Sequence, residues 1–92
     1  MKFQYEDDRI FIVDEDNKEL AEVTFPELNE NVVNINHTFV DPSLRGQGIA
    51  GKLMLELSKK LRKENKKAMI SCPYAVYWFD RNEEYKDVVY KP

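Results

Sequence analysis

The residues predict a single α/β domain, 1–92, with about two helices and a mixed sheet made of an antiparallel hairpin plus a parallel β-α-β unit. Three observations carry this. Strand-type runs separated by turn residues fill the first half of the chain. The pattern then switches to a helical period from Ile49 to about Asn65. A short apolar run follows at a distance that suits a right-handed crossover between parallel strands.

Taken in order, Arg9 to Asp14 is rich in β-branched and aromatic residues and reads as a strand. Asp14 to Lys18 is a polar turn, and Leu20 to Phe25 resumes as the second strand of a hairpin placed at one edge of the sheet. Pro26 stops it, because proline brings no N–H to a ladder. Glu27 to Asn31 reads as a connection. A third strand is expected from Val32 to Val40, with Val33, Ile35, His37 and Phe39 on one face. Asp41-Pro42-Ser43 ends it.

In the helix, Ile49, Ala50, Leu53, Met54, Leu57 and Leu61 fall within an arc of about 140°. Leu55 lies outside that arc and is expected to pack elsewhere or stay half-exposed. Ala68 to Ile70 reads as a buried strand parallel to the third. Proline suits a first helical turn, so a second helix is expected from Pro73 to about Arg81. Glu83 to Pro92 carries no assignable pattern.

A chain of 92 residues can hold one small core. Its hydrophobic share of 42% and charged share of 34% are those of a globular protein. The net charge of −3 speaks against a nucleic-acid partner, and no apolar run is long enough to span a membrane. No apolar stretch follows Lys2, so a secretory leader is not expected. A single cysteine, Cys72, fits a reducing compartment. The expected location is therefore the cytoplasm, where the Asn36-His37-Thr38 sequon has no use. No metal is expected.

The stretch Arg45-Gly46-Gln47-Gly48-Ile49-Ala50-Gly51 leads from a strand into a helix. The first N–H groups of a helix lack intrahelical acceptors, and that end carries partial positive charge. A diphosphate satisfies both, and glycines allow close approach of the backbone. The alternative is a glycine-bearing turn that only redirects the chain, and spacing alone leaves both open. A dinucleotide fingerprint fits worse, and Lys52 is followed by Leu53 where a P-loop needs Ser or Thr.

His37 to Leu53 resembles motif A of the GNAT acetyltransferases: a strand, Arg/Gln-x-x-Gly-x-Gly/Ala, then a helix, with Arg45, Gly48 and Ala50 in the defining places. Cys72-Pro73-Tyr74 and Tyr85 to Val88 are similar to a very short, single-domain branch, and the likeness covers about residues 9 to 90. The resemblance implies acetyl-CoA as cosubstrate. It implies that the diphosphate lies on Arg45 to Gly51, with Lys52 or a lysine of the basic run open as the partner of the adenosine 3′-phosphate, and that the pantetheine lies between strands at Phe39-Val40 and Ile70-Ser71. The implied activity is N-acyl transfer to an amine that the residues do not specify. Two departures stand out. The N-terminal helices that shape the acceptor site in longer members are missing, and the place of their proton-donating tyrosine is held by Phe79.

Cys72 occupies the place of the family's asparagine, just before a helix N-terminus, where a thiol can be activated. It is a candidate acyl carrier, proton donor or pocket wall; a buried structural cysteine is the alternative. His37 is a candidate base, since imidazole exchanges protons near neutrality, or else a core residue on an apolar face. Tyr74 and Tyr77 are lesser candidates for an O–H near the thioester. The basic run from Lys59 to Lys67 is expected to be a solvated helix end, though a basic-helix interaction protein remains a third alternative. Besides the enzyme, a CoA-binding module without catalysis stays open.

Overall fold

A computed structural model describes residues 2–91. Seven strands form two sheets. In the first, β1 (Lys2–Tyr5), β2 (Arg9–Val13), β3 (Glu19–Thr24) and β6 (His37–Val40) lie side by side in that order, all antiparallel. In the second, β4 (Glu27–Asn29) pairs antiparallel with β5 (Val32–Ile35), and β5 pairs parallel with β7 (Lys67–Ile70). Helix α1 (Ile49–Lys63) makes the crossover, and α2 (Pro73–Arg81) follows β7. The α/β class and the parallel β-α-β unit are as expected.

The hairpin expected at an edge, β2 and β3, is instead internal, because β1 covers its outer side. β1 escapes a reading by alternation because it is a short edge strand whose side chains are mostly exposed. Tyr5 on this strand donates a 2.7 Å hydrogen bond to Glu56 of α1, which, with burial, pushes its phenol up to about 12. β4 is fully exposed and polar apart from Leu28, so composition makes it look like a connection.

The expected single strand from Val32 to Val40 is two strands belonging to different sheets. Ile35 pairs with Ile70 of β7, whereas His37 pairs with Thr24 of β3. Asn36 belongs to neither ladder: its N–H donates to Thr24 O at 3.2 Å, and its side chain accepts from the Thr24 hydroxyl at 2.5 Å. Asn36 and His37 thus both face Thr24, in the manner of a β-bulge, and the alternation slips by one residue. Val33 and Ile35 point into the core, but His37 and Phe39 are exposed, and Thr38 and Val40 turn inward. The expectation that His37 and Phe39 share the face of Val33 and Ile35 is corrected by that slip.

The core lies between α1 and the sheets. Ile10, Ile12, Ala21 and Val23 of the hairpin meet Leu53, Met54, Leu57 and Leu61 of the helix in one buried cluster. Each fully buried leucine or isoleucine there contributes about 1.5–3 kcal/mol relative to exposure. Leu55 is half-buried at its rim. The tail forms a 3-10 segment, Glu83–Val88, and Tyr90 N–H donates to Ala68 O at 2.8 Å beside β7. Arg62 of α1 holds this segment through Asp87, the Glu84 carbonyl and the Tyr85 ring. Lys59, Lys60 and Lys66 pair with Glu56, Glu64 and Glu27. Much of the basic run is therefore engaged with the chain's own carboxylates. No helix among the described residues is long and apolar enough to cross a membrane.

Candidate functional site

At the end of β6 the chain is tied down before it turns. Asp41 N–H donates to Leu20 O of β3 at 2.7 Å. The Asp41 carboxylate accepts from the Ser43 hydroxyl and from the Ser43 N–H, bonds that hold it below the usual carboxyl range. A 3-10 turn, Pro42–Leu44, follows. Gly46 and Gly48 then adopt left-handed conformations, with φ of 84° and 71°. A side chain resists that region, and the two residues together swing the backbone into α1.

Gly48 caps α1 without a side-chain hydrogen bond. Among the described residues, the N–H groups of Gly46, Gly48, Ile49, Ala50 and Gly51 have no protein acceptor; the first such bond into the helix is Lys52 N–H to Gly48 O, 3.1 Å. Arg45, at the mouth, forms no salt bridge among the described residues. These donors are free, neither turned onto the chain nor capped by side chains. The set suits a diphosphate: several unpaired amides lie at the positive end of a 15-residue helix.

A cavity of 240 Å³ adjoins these donors. Of the expected residues, Val40, Arg45, Gly46, Gly48, Ile49 and Ala50 line it. Leu44 and Tyr74 complete its wall. Sequence reasoning missed Leu44, which sits inside the motif as an ordinary apolar residue, and placed Tyr74 only as a thioester candidate. Phe39, Gln47 and Lys52 lie outside the wall, with exposed side chains. Gly51 is roofed by α2: a Cβ there would stand 3.4 Å from Trp78 Nε1 and 3.6 Å from the Tyr74 hydroxyl.

β6 and β7 diverge because β6 follows β3 while β7 follows β5. Cys72 closes the fork. Its N–H and that of Ser71 both donate to Ile35 O at 3.0 Å, and its side chain is 6% exposed. Its sulfur lies 3.2 Å from the Thr38 hydroxyl. His37, next along β6, points the other way. Its imidazole is exposed, with Nε2 3.9 Å from Glu22, a carboxylate that also takes a 3.0 Å bond from Arg9. Cys72 and His37 are therefore on opposite sides of β6. Phe79, on α2, is buried at 3% exposure.

A family model described as GCN5-related N-acetyl-transferase matches residues 9–88. Among solved structures, a GCN5-like protein from Staphylococcus aureus is 31% identical, with 99% of this chain and 89% of that chain covered and a TM-score of 0.80. Tetrahymena GCN5 is 14% identical over 91% of this chain and 60% of its own, with a TM-score of 0.66. The Escherichia coli GNAT family N-acetyltransferase YhbS, solved in complex with CoA, is 21% identical over 75% of this chain and 42% of its own, with a TM-score of 0.64. These last two likenesses are of fold. No curated protein matches. With the loop geometry, the sequence match over residues 9–88 and the near full-length S. aureus likeness in agreement, the chain belongs to the GCN5-related N-acetyltransferase family.

Proposed function

We propose that the protein is a cytoplasmic acetyl-CoA-dependent N-acetyltransferase acting on an amine. The observation that carries this reading is the set of unpaired amides of Gly46, Gly48, Ile49, Ala50 and Gly51 beside the cavity at the mouth of α1. In it those amides and Arg45 hold the diphosphate, with Gln47 and Lys52 at its outer margin. The free edge of β6, at Phe39-Val40, borders the pantetheine. The cosubstrate supplies an activated thioester carbonyl.

Cys72 stands where the thioester would reach the fork of the sheets. In direct transfer the amine nitrogen bonds the carbonyl carbon, the carbon–sulfur bond breaks, and the CoA thiolate takes up a proton. In the two-step route the Cys72 sulfur takes the acyl group as its proton passes to the departing CoA thiolate, and the amine then displaces Cys72, its proton restoring the thiol. His37, exposed beside Glu22 on the side of β6 opposite Cys72, is a candidate base whose role the pH–rate profile of its alanine variant tests.

One observation favours the second reading, a CoA-binding module without catalysis: the buried residue at the family's tyrosine place is Phe79, which has no proton to give. Incubation with acetyl-CoA and a panel of amines, read by thiol release and mass shift, decides between them. Acetylated product and released thiol are expected; CoA binding with no acyl transfer to any amine would establish the module. Full turnover by Cys72→Ser would eliminate the acyl-cysteine, and a trapped acetyl group on Cys72 would support it.

A further inference from the structure

Among the described residues Tyr74 is the one aromatic in the wall of the cavity at the mouth of α1, and it comes from α2 rather than from the loop. It rests on the first turn of α1 together with Trp78: a Cβ at Gly51 would stand in ordinary contact with both, 3.4 Å from Trp78 Nε1 and 3.6 Å from Tyr74 Oη. The Tyr74 hydroxyl thus lies over Gly51, whose own N–H is one of the unpaired donors. Among the described residues the hydroxyl has no hydrogen-bond partner. Its ring is held from behind by Tyr77, centroid to centroid 5.9 Å.

We propose that Tyr74 is a cofactor-binding residue whose hydroxyl donates a hydrogen bond to the diphosphate of CoA, completing from α2 the cradle that the loop amides form from α1. The proposal rests on the acetyl-CoA reading above. A phenol beside a diphosphate must be the donor, since the phosphate oxygens only accept. A phenol is protonated at neutral pH, and partial burial of Tyr74 shifts it further in that direction, so the hydroxyl is available as a donor. The arrangement differs from a bare loop site, because binding would fasten α2 to α1 through one ligand.

Calorimetry of the wild-type chain and of Tyr74→Phe tests this, using CoA and adenosine 3′-phosphate 5′-diphosphate, which keeps the diphosphate and lacks pantetheine. The ring is retained, so the fold should be kept, and a matching thermal midpoint checks it. Loss of one hydrogen bond to a charged group is expected to weaken binding of both probes about tenfold. Tyr90→Phe, beside β7 and outside the cavity wall, is expected to bind as wild type. Unchanged affinity of Tyr74→Phe for CoA would overturn the proposal. A loss seen with CoA but not with the truncated probe would overturn it too, by moving the contact to the pantetheine. Failure of the wild-type chain to bind CoA would overturn the acetyl-CoA reading itself, a result distinct from either.

Discussion

The hydroxyl of Thr38 and the thiol of Cys72 stand 3.2 Å apart at the fork between β6 and β7. Thr38 comes from the sheet that bends away and Cys72 from the start of α2, so the contact spans the divergence. Either group can donate while the sulfur is a thiol. Once it is a thiolate it can only accept, and the Thr38 hydroxyl must then turn its proton toward it.

Thr38→Val keeps the shape and removes that donor. Alkylation of Cys72 by iodoacetamide near pH 8 is expected to slow about threefold, because a thiolate that loses a donor is scarcer but also more nucleophilic. Equal rates for variant and parent would show that the contact does not govern the sulfur.

His37→Ala separates position from chemistry. The imidazole is exposed and paired only loosely with Glu22, so stability is expected to change by no more than about 0.5 kcal/mol. If His37 takes the amine's proton, the acid limb of the pH–rate profile of acetyl transfer flattens in the variant. An unchanged profile would dismiss the base role.

Gly48→Ala places a Cβ on a residue at φ 71°, with open space around it. Any cost is therefore backbone strain, about 1–2 kcal/mol, not a clash. A thermal midpoint lower by several degrees is expected, together with weaker CoA binding as the amides of Gly48 and Ile49 swing out of line.

Ser58, on the buried face of α1, is 0% exposed and its hydroxyl has no partner among the described residues. Burying an unpaired hydroxyl costs about 1–3 kcal/mol. Ser58→Ala removes that cost, adds helix propensity, and is expected to raise the thermal midpoint with no effect on CoA affinity. A lower midpoint would mean that the hydroxyl is paired in solution.

Acid should weaken the fold through Asp41, Glu64 and Asp87. Hydrogen bonds from Ser43, Lys60 and Arg62 respectively hold these carboxyls below their ordinary values. In acid the unfolded chain therefore binds more protons than the folded one. The stabilisation is complete above the ordinary carboxyl range, about pH 4–5, and is lost as pH falls through the lower folded values. Thermal midpoints at pH 6 and pH 3 check it, and Asp41→Asn should reduce the difference.

Much of this fold was legible in local spacing. The 3.6-residue period of α1, Pro73 opening α2, and the glycines at 46 and 48 each act through neighbours in the chain, and each appears where the residues put it. The edge strands β1 and β4 left no such mark, since an exposed strand has no apolar face to alternate. The 3-10 tail is held by Arg62, far away in sequence, so its own residues show no period.

The residues themselves determined the family, the helix-mouth loop and the α/β class, because these depend on turn chemistry and on periodicity within one element. Tertiary structure alone decided which faces Thr38 and His37 present and what roofs the loop. A one-residue slip at Asn36, where the chain leaves β7's sheet for β3's, reverses the facing of the side chains of β6. Strand propensity is blind to that slip, because only the pairing partners on either side of the bulge impose it. Likewise Gly51 looks like one more loop glycine until α2 is laid across it, bringing Tyr74 and Trp78 onto the first turn of α1.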